Sequence, residues 1–177
     1  MATIDLIVLG MIKKDALSAY DIQKLVEYRN ISKWVKISTP SIYKKVIQLE
    51  EKGYIKGSIV KEGKMAEKTV YTLTDSGANE FERLMLEIAS KPIHIFLDFN
   101  AVIVNLTSLS PESQKSCLTE IETQVKTLKT YLKENISIKE KLPEIPETGM
   151  AVLKQQFILT QAIETWITSL KQDLHIS

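Results

Sequence analysis

One stretch constrains this chain more than any other: Ser38 to Leu73, STPSIYKKVIQLEEKGYIKGSIVKEGKMAEKTVYTL. It sets out a capped helix, a glycine turn, a short apolar strand, a polar lysine-bearing loop and a second strand. That is the order of a DNA recognition helix followed by a two-stranded wing. The hydroxyl of Ser38 or Thr39 can accept from the first free backbone N–H groups of the helix. Pro40 follows at a position where a missing N–H costs nothing. Ile42, Val46 and Leu49 form one apolar stripe, flanked by Tyr43 and Ile47. The opposite face carries Ser41, Lys44, Lys45 and Gln48. A helix of this kind fits the major groove with its N-terminal residues nearest the base edges. Ser41, Tyr43, Lys44 and Lys45 are therefore the predicted reading residues, with Gln48 second. The plainer alternative is an amphipathic helix with a solvated lysine face.

Gly53 ends this helix, because glycine tolerates the left-handed C-cap. The strands are predicted at Tyr54–Val60 and Thr69–Thr74, with Gly57 marking a bulge or bend. A two-stranded hairpin is marginal alone and must pack on helices. Its polar tip would then lie beside the groove. Lys61, Lys64 and Lys68 are the predicted phosphate contacts, with Lys56 in support.

Charge distribution agrees with that reading. The chain's formal charge is only +1, yet Lys13 to Lys68 holds 13 basic and 7 acidic residues, a net of +6. From Lys91 onward, 9 lysines face 10 acids, a net of −1. The positive field is confined to the segment already marked by pattern.

Around this stretch the chain reads as mostly α. A nearly all-apolar helix is predicted at Thr3–Ile12. A second opens at Ser18, with Asp21 three residues on as an acidic capping box. Trp34 is expected in a core or against a second subunit, with a ligand platform as the other role. Thr74 or Asp75 caps a fourth helix, Ser76 to Ala89, and Pro92 marks a boundary. The predicted division is residues 1–90, a winged helix-turn-helix, and residues 91–177, an antiparallel helical dimerisation domain.

In the second part, Ile93–Leu109 reads as a helix buried on several sides. Ser110 and Pro111 open the next helix. Leu118, Ile121, Val125, Leu128 and Leu132 repeat there at threes and fours as a coiled-coil-like seam. Lys139–Thr148 is a proline-containing connection. A last helix from about Gly149 carries Phe157, Ile163, Trp166 and Leu170 on a wide apolar face. Together these nine residues are the predicted two-fold dimer interface, because one winged helix gains affinity and specificity by pairing. A self-contained monomeric bundle is the alternative.

Other classes find little support. The chain has two histidines and one cysteine, Cys117. There is no ligand-spaced metal motif, no phosphate loop and no nucleophile elbow. No enzyme activity, cofactor or metal is expected. The apolar run near the N-terminus is too short to span a bilayer and follows no basic segment, so a cytoplasmic location is expected. Two non-enzymatic alternatives stay open: a winged helix used for protein–protein contact, and a regulator with a small hydrophobic effector. For the latter, Trp34, Phe96 and Phe99 are the candidate pocket residues.

Four ordered motifs resemble the PadR family of transcriptional regulators. Leu9, Gly10, Met11 and Ile12 resemble its opening LG(L/M)(L/I) run. Ser18, Ala19, Tyr20, Asp21 and Ile22 resemble its second-helix motif, (H/S)GYE(I/L). Ser41, Ile42, Tyr43, Val46, Leu49, Glu50, Gly53, Tyr54 and Ile55 resemble G(T/S)(L/I)YxxLxxLExxGLI. Lys68, Tyr71, Leu73, Thr74 and Gly77 resemble (R/K)xxYxLTxxG. More weakly, Glu164, Trp166, Ile167 and Leu170 are similar to a C-terminal ExxWLxxL segment, with the glutamate displaced by one. The resemblance implies a homodimer on a palindromic operator, often a repressor and sometimes an activator. Some members respond to small aromatic acids or hydrophobic drugs. Ala19, Pro40 and Lys44 depart from the family's usual Gly, Gly and Pro, and Lys44 adds charge where the groove would lie.

Overall fold

The computed structural model describes residues 2–35, 37, 39–61 and 67–176. The chain divides into two compact units, Met1–Ile93 and His94–Ser177.

In the first unit, α1 (Ala2–Ile12), α2 (Ala19–Tyr28), α3 (Thr39–Glu51) and α4 (Asp75–Ala89) surround one core, with a hairpin of β1 (Ile55–Val60) and β2 (Lys68–Leu73) between α3 and α4. α1 is the central helix: Ile4, Val8, Leu9, Met11 and Ile12 are all buried. They join Ile22 and Val26 of α2, Ile42, Val46 and Leu49 of α3, Ile55 of β1 and Leu84 of α4. Burial on several faces is what an almost wholly apolar helix requires. Gly10 is the close approach between α1 and α4, since a Cβ there would lie 3.1 Å from the Phe81 ring.

The predicted helix starts are present where they fall on described residues. Ser18 caps α2: its hydroxyl accepts from the Asp21 N–H, and the Asp21 carboxylate accepts from the Ser18 N–H and hydroxyl. Asp21's carboxyl is held below its usual value by the Ser18 hydroxyl first, and then by the Ser18 N–H. Thr74 caps α4, its hydroxyl accepting from Gly77 N–H at 3.0 Å and donating to the carbonyls of Gly53 and Tyr54. One threonine thus joins the turn before β1 to the helix after β2. The predicted cap at Ser38, and the Thr39 side chain, lie outside the described residues.

The hairpin is antiparallel and regular, Ile55 opposite Leu73 through Val60 opposite Lys68. Gly57 was expected to mark a bulge or bend, but it sits in register opposite Tyr71. Its reason is space: a Cβ would meet Glu50 Oε1 at 2.7 Å and Thr69 Cγ2 at 2.8 Å. On the far side of β2, Leu17 exchanges two backbone hydrogen bonds with Tyr71, adding a one-residue third strand.

The second unit contains α5 (Asn100–Val104), a 3-10 turn at Leu106–Ser108, α6 (Pro111–Lys139) and α7 (Glu147–Asp173). Its main body is the pair α6 and α7. Glu122 meets Lys171, Lys129 meets Glu164 and Glu140 meets Lys154. One partner's number rises as the other's falls, so the helices are antiparallel. Ser110 caps α6 and Pro111 occupies its first turn, as predicted. The expected buried helix over Ile93–Leu109 is corrected. Only Asn100–Val104 is α-helical, and Ile93, Ile95, Phe96 and Val104 are exposed, Phe96 by 85%. The polar residues Asp98 and Asn105 flank the short helix on its two sides. Asn105 donates its side-chain amide to the Ala101 carbonyl at the point where the helix stops.

Among the described residues, no helix is long and apolar enough to cross a membrane, and no cluster of His, Cys, Asp and Glu has the makings of a metal site.

Candidate nucleic-acid interface

α3 is held by its inner stripe. Ile42, Val46 and Leu49 are essentially inaccessible, packed in the shared core with α1, α2 and β1. That burial fixes which residues face outward. Tyr43 is 41% exposed, Ile47 is 55% exposed, and Lys44 is exposed beside them. They form a continuous outer face at helical spacing. Ser41 and Gln48 are half-buried at its margins.

Lys45 departs from its expected role. Its ammonium lies 2.8 Å from the Asp5 carboxylate of α1, and the side chain is only 14% exposed. The pair ties α3 to α1, so the Lys45 ammonium is held in an ion pair inside the first unit. Ile47 is the residue that sequence reasoning passed over. Its spacing makes it a flank of the buried stripe, yet it stands in solvent between Tyr43 and Lys44 on one side and Glu51 on the other. The signal was available: with Ile42, Val46 and Leu49 inward, helical geometry turns residue 47 outward.

The hairpin supplies the second element. Lys56 and Lys61 are exposed on β1 and just beyond it, and Lys61 lies 3.8 Å from Glu67 beyond the last strand pair, Val60 and Lys68. So open a surface pair is worth little. Lys68 opens β2 and is exposed, and its charge contributes to holding Asp21's carboxyl low. Lys64 lies outside the described residues. Tyr71 is half-buried, and its phenol is pushed above the usual value by burial first and by the Glu50 charge second.

The remaining predicted residues fall in two groups. Leu118, Val125 and Leu132 are buried within the second unit, where α6 packs along α7. Ile121, Phe157, Ile163 and Leu170 are half-buried, while Leu128 and Trp166 are exposed. Of the candidate pocket residues, Phe99 stacks on Trp166 at 5.9 Å between centroids and Phe96 stacks on His94 at 5.8 Å. Trp34 ends the 3-10 turn at Ile31–Lys33 in the first unit and is 39% exposed.

Residues 15–90 match the family model of a winged helix DNA-binding domain. No curated protein matches the sequence. Among solved structures, Bacillus subtilis PadR in complex with operator DNA is similar over nearly the whole chain. Its TM-score is 0.81 at 23% identity, covering 95% of this chain and 97% of that one. The same protein in complex with p-coumaric acid gives 0.75 at 21% identity, over 94% and 92% of the two chains. The Vibrio cholerae virulence activator AphA gives 0.70 at 17% identity, over 97% and 98%. The resemblance read from the four motifs is thus borne out at the level of fold. Residues 15–90 match a winged helix DNA-binding domain, and the chain as a whole has the fold seen in Bacillus subtilis PadR.

Proposed function

We propose that this protein is a sequence-specific transcriptional regulator of the PadR type, a homodimer that represses from a palindromic operator. The observation that carries the reading is the surface of α3. Its apolar stripe is fully used inside, and its outer face presents Tyr43, Lys44 and Ile47 beside a lysine-bearing hairpin. Such a face offers hydrogen-bonding, cationic and apolar groups for base edges, and the hairpin offers cations for phosphates. Bacillus subtilis PadR, which has this fold, is found on operator DNA.

Pairing follows from how little one winged helix can read alone. In the second unit Leu128, Ile138, Ile158 and Trp166 leave apolar surface in solvent, which a second copy would cover. A DNA partner implies a cytoplasmic location. A small hydrophobic or aromatic effector is proposed on the likeness to PadR, which is found with p-coumaric acid. Titrating such acids against Trp34 and Trp166 fluorescence tests it, and no saturable change counts against it. Activation is the second reading of the sign of regulation, favoured by the likeness to AphA, a virulence activator.

The deciding experiment is selection of bound sequences from a random duplex pool at moderate salt. A palindrome with half-sites about one helical turn apart is expected. Weak, salt-insensitive binding with no recovered motif would favour a protein-interaction module instead.

A further inference from the structure

α3 and β1 are joined by a turn of three residues, Lys52 to Tyr54, in which Gly53 adopts φ 73°. The turn is closed by Gly53 N–H and Tyr54 N–H donating to the Glu50 and Leu49 carbonyls, and a second tie reaches further along the arm. β1 also carries an orphan donor. Tyr71, opposite Gly57, gives both its N–H and its C=O to Leu17 on the other side of β2. In an antiparallel ladder a residue pair either exchanges both hydrogen bonds or neither. Gly57 N–H therefore points away from β2, toward the open edge of β1. Glu50, in the last turn of α3, meets it there: its Oε1 accepts from Gly57 N–H at 2.9 Å. The missing Cβ of Gly57 is what admits the carboxylate, which lies 2.7 Å from where that atom would be.

We propose that Glu50 is a positioning residue for DNA binding, a latch from the recognition helix to the free edge of the wing at Gly57. The hydrogen bond is charge-assisted, spans seven residues and bypasses the turn. It sets Lys56 and Lys61 of the arm at one angle to Tyr43, Lys44 and Ile47 of the helix. The carboxylate also covers an edge N–H on which another strand could pair. This inference rests on the DNA-binding reading above.

Two conservative variants separate reach from charge. Glu50→Gln keeps the acceptor and loses the charge, whereas Glu50→Asp keeps the charge and is one methylene too short. Affinity for the duplex recovered from the random pool is measured against salt for the full chain and both variants, with exchange of the Gly57 amide followed in ¹⁵N-labelled protein. Glu50→Gln, which keeps a weaker neutral acceptor, is expected to keep the parent's salt slope and most of its Gly57 protection. Glu50→Asp is expected to lose at least tenfold in Gly57 protection and to lower the slope by about 1 to 2, one phosphate contact for each arm lysine released. A Glu50→Asp protein with parental slope and protection, or a Glu50→Gln protein that loses both equally, overturns the latch. Failure of the parent itself to bind any duplex in a salt-dependent way overturns the DNA-binding reading instead.

Discussion

An isoleucine in water on the outer face of a helix gains nothing until something apolar meets it, and Ile47 stands in that position. In a major groove the apolar group to be met is the thymine 5-methyl. Replacing thymine by uracil, one position at a time, in the selected duplex should therefore weaken binding about fourfold at one position per half-site, the worth of one buried methyl. The effect should vanish in Ile47→Ala; if no uracil position couples to residue 47, the contact does not exist. The neighbouring lysines should separate cleanly. Lys44→Ala should lower the salt slope by about 0.9, because a lysine in the groove displaces a counterion, with little change in melting. Lys45→Ala should keep the slope and lose roughly 1–3 kcal/mol of stability, because Asp5 is left without its cation. A slope lowered equally in both variants would show that Lys45 reaches DNA after all.

At the scale of elements, Gly10 and Gly77 prove to be close contacts, whereas Gly53 serves by its left-handed φ of 73° with no atom crowding it. Gly77 lies in the first turn of α4, where a Cβ would fall 1.9 Å from the Tyr54 carbonyl oxygen. Gly77→Ala should cost on the order of 3 kcal/mol, read as a fall in melting temperature, since neither backbone can yield cheaply. A near-neutral Gly77→Ala would mean that α4 and β1 are not packed this closely. Much of this level was legible in advance. Ile42, Val46 and Leu49 announce the inner face of α3 by spacing alone, and Ser18 with Asp21 and Thr74 announce two helix starts. Gly57 was not legible. Its reason is a carboxylate seven residues back and two side chains across the ladder, and only the paired strands bring these together.

For the molecule as a whole, the second unit carries a pH signature. Glu122 accepts from Lys126 on its own helix and from Lys171 on α7. Those hydrogen bonds, Lys126 first, hold its carboxyl down to about 2 from 4.5. A carboxyl depressed on folding contributes stability that is fully present above its unfolded value and lost as pH falls through the folded one. Denaturant midpoints should therefore decline from about pH 4.5 to about 2, and Glu122→Gln should flatten that limb while lowering stability at neutral pH. An unchanged acid limb in Glu122→Gln would assign the decline to other carboxylates. The seam Leu118, Val125 and Leu132 is buried in the unit of α6 and α7, so the proposed dimer would have to form mainly through outward residues such as Ile158 and Trp166.

The amino-acid sequence by itself determined the order of elements, the inner face of each helix in the first unit and the lysine-rich character of the hairpin. These are local properties, set by periodicity, capping chemistry and turn residues within a few positions of one another. Tertiary structure alone decided which basic residues remain outward. Asp5 and Lys45 are forty residues apart, and no count of charge along the chain places one beside the other. It decided as well that Gly57 serves Glu50, and that Ile93 to Val104 stays largely exposed. Each of these depends on what a distant segment brings to within a few ångströms, where burial and Coulomb forces act and sequence spacing does not.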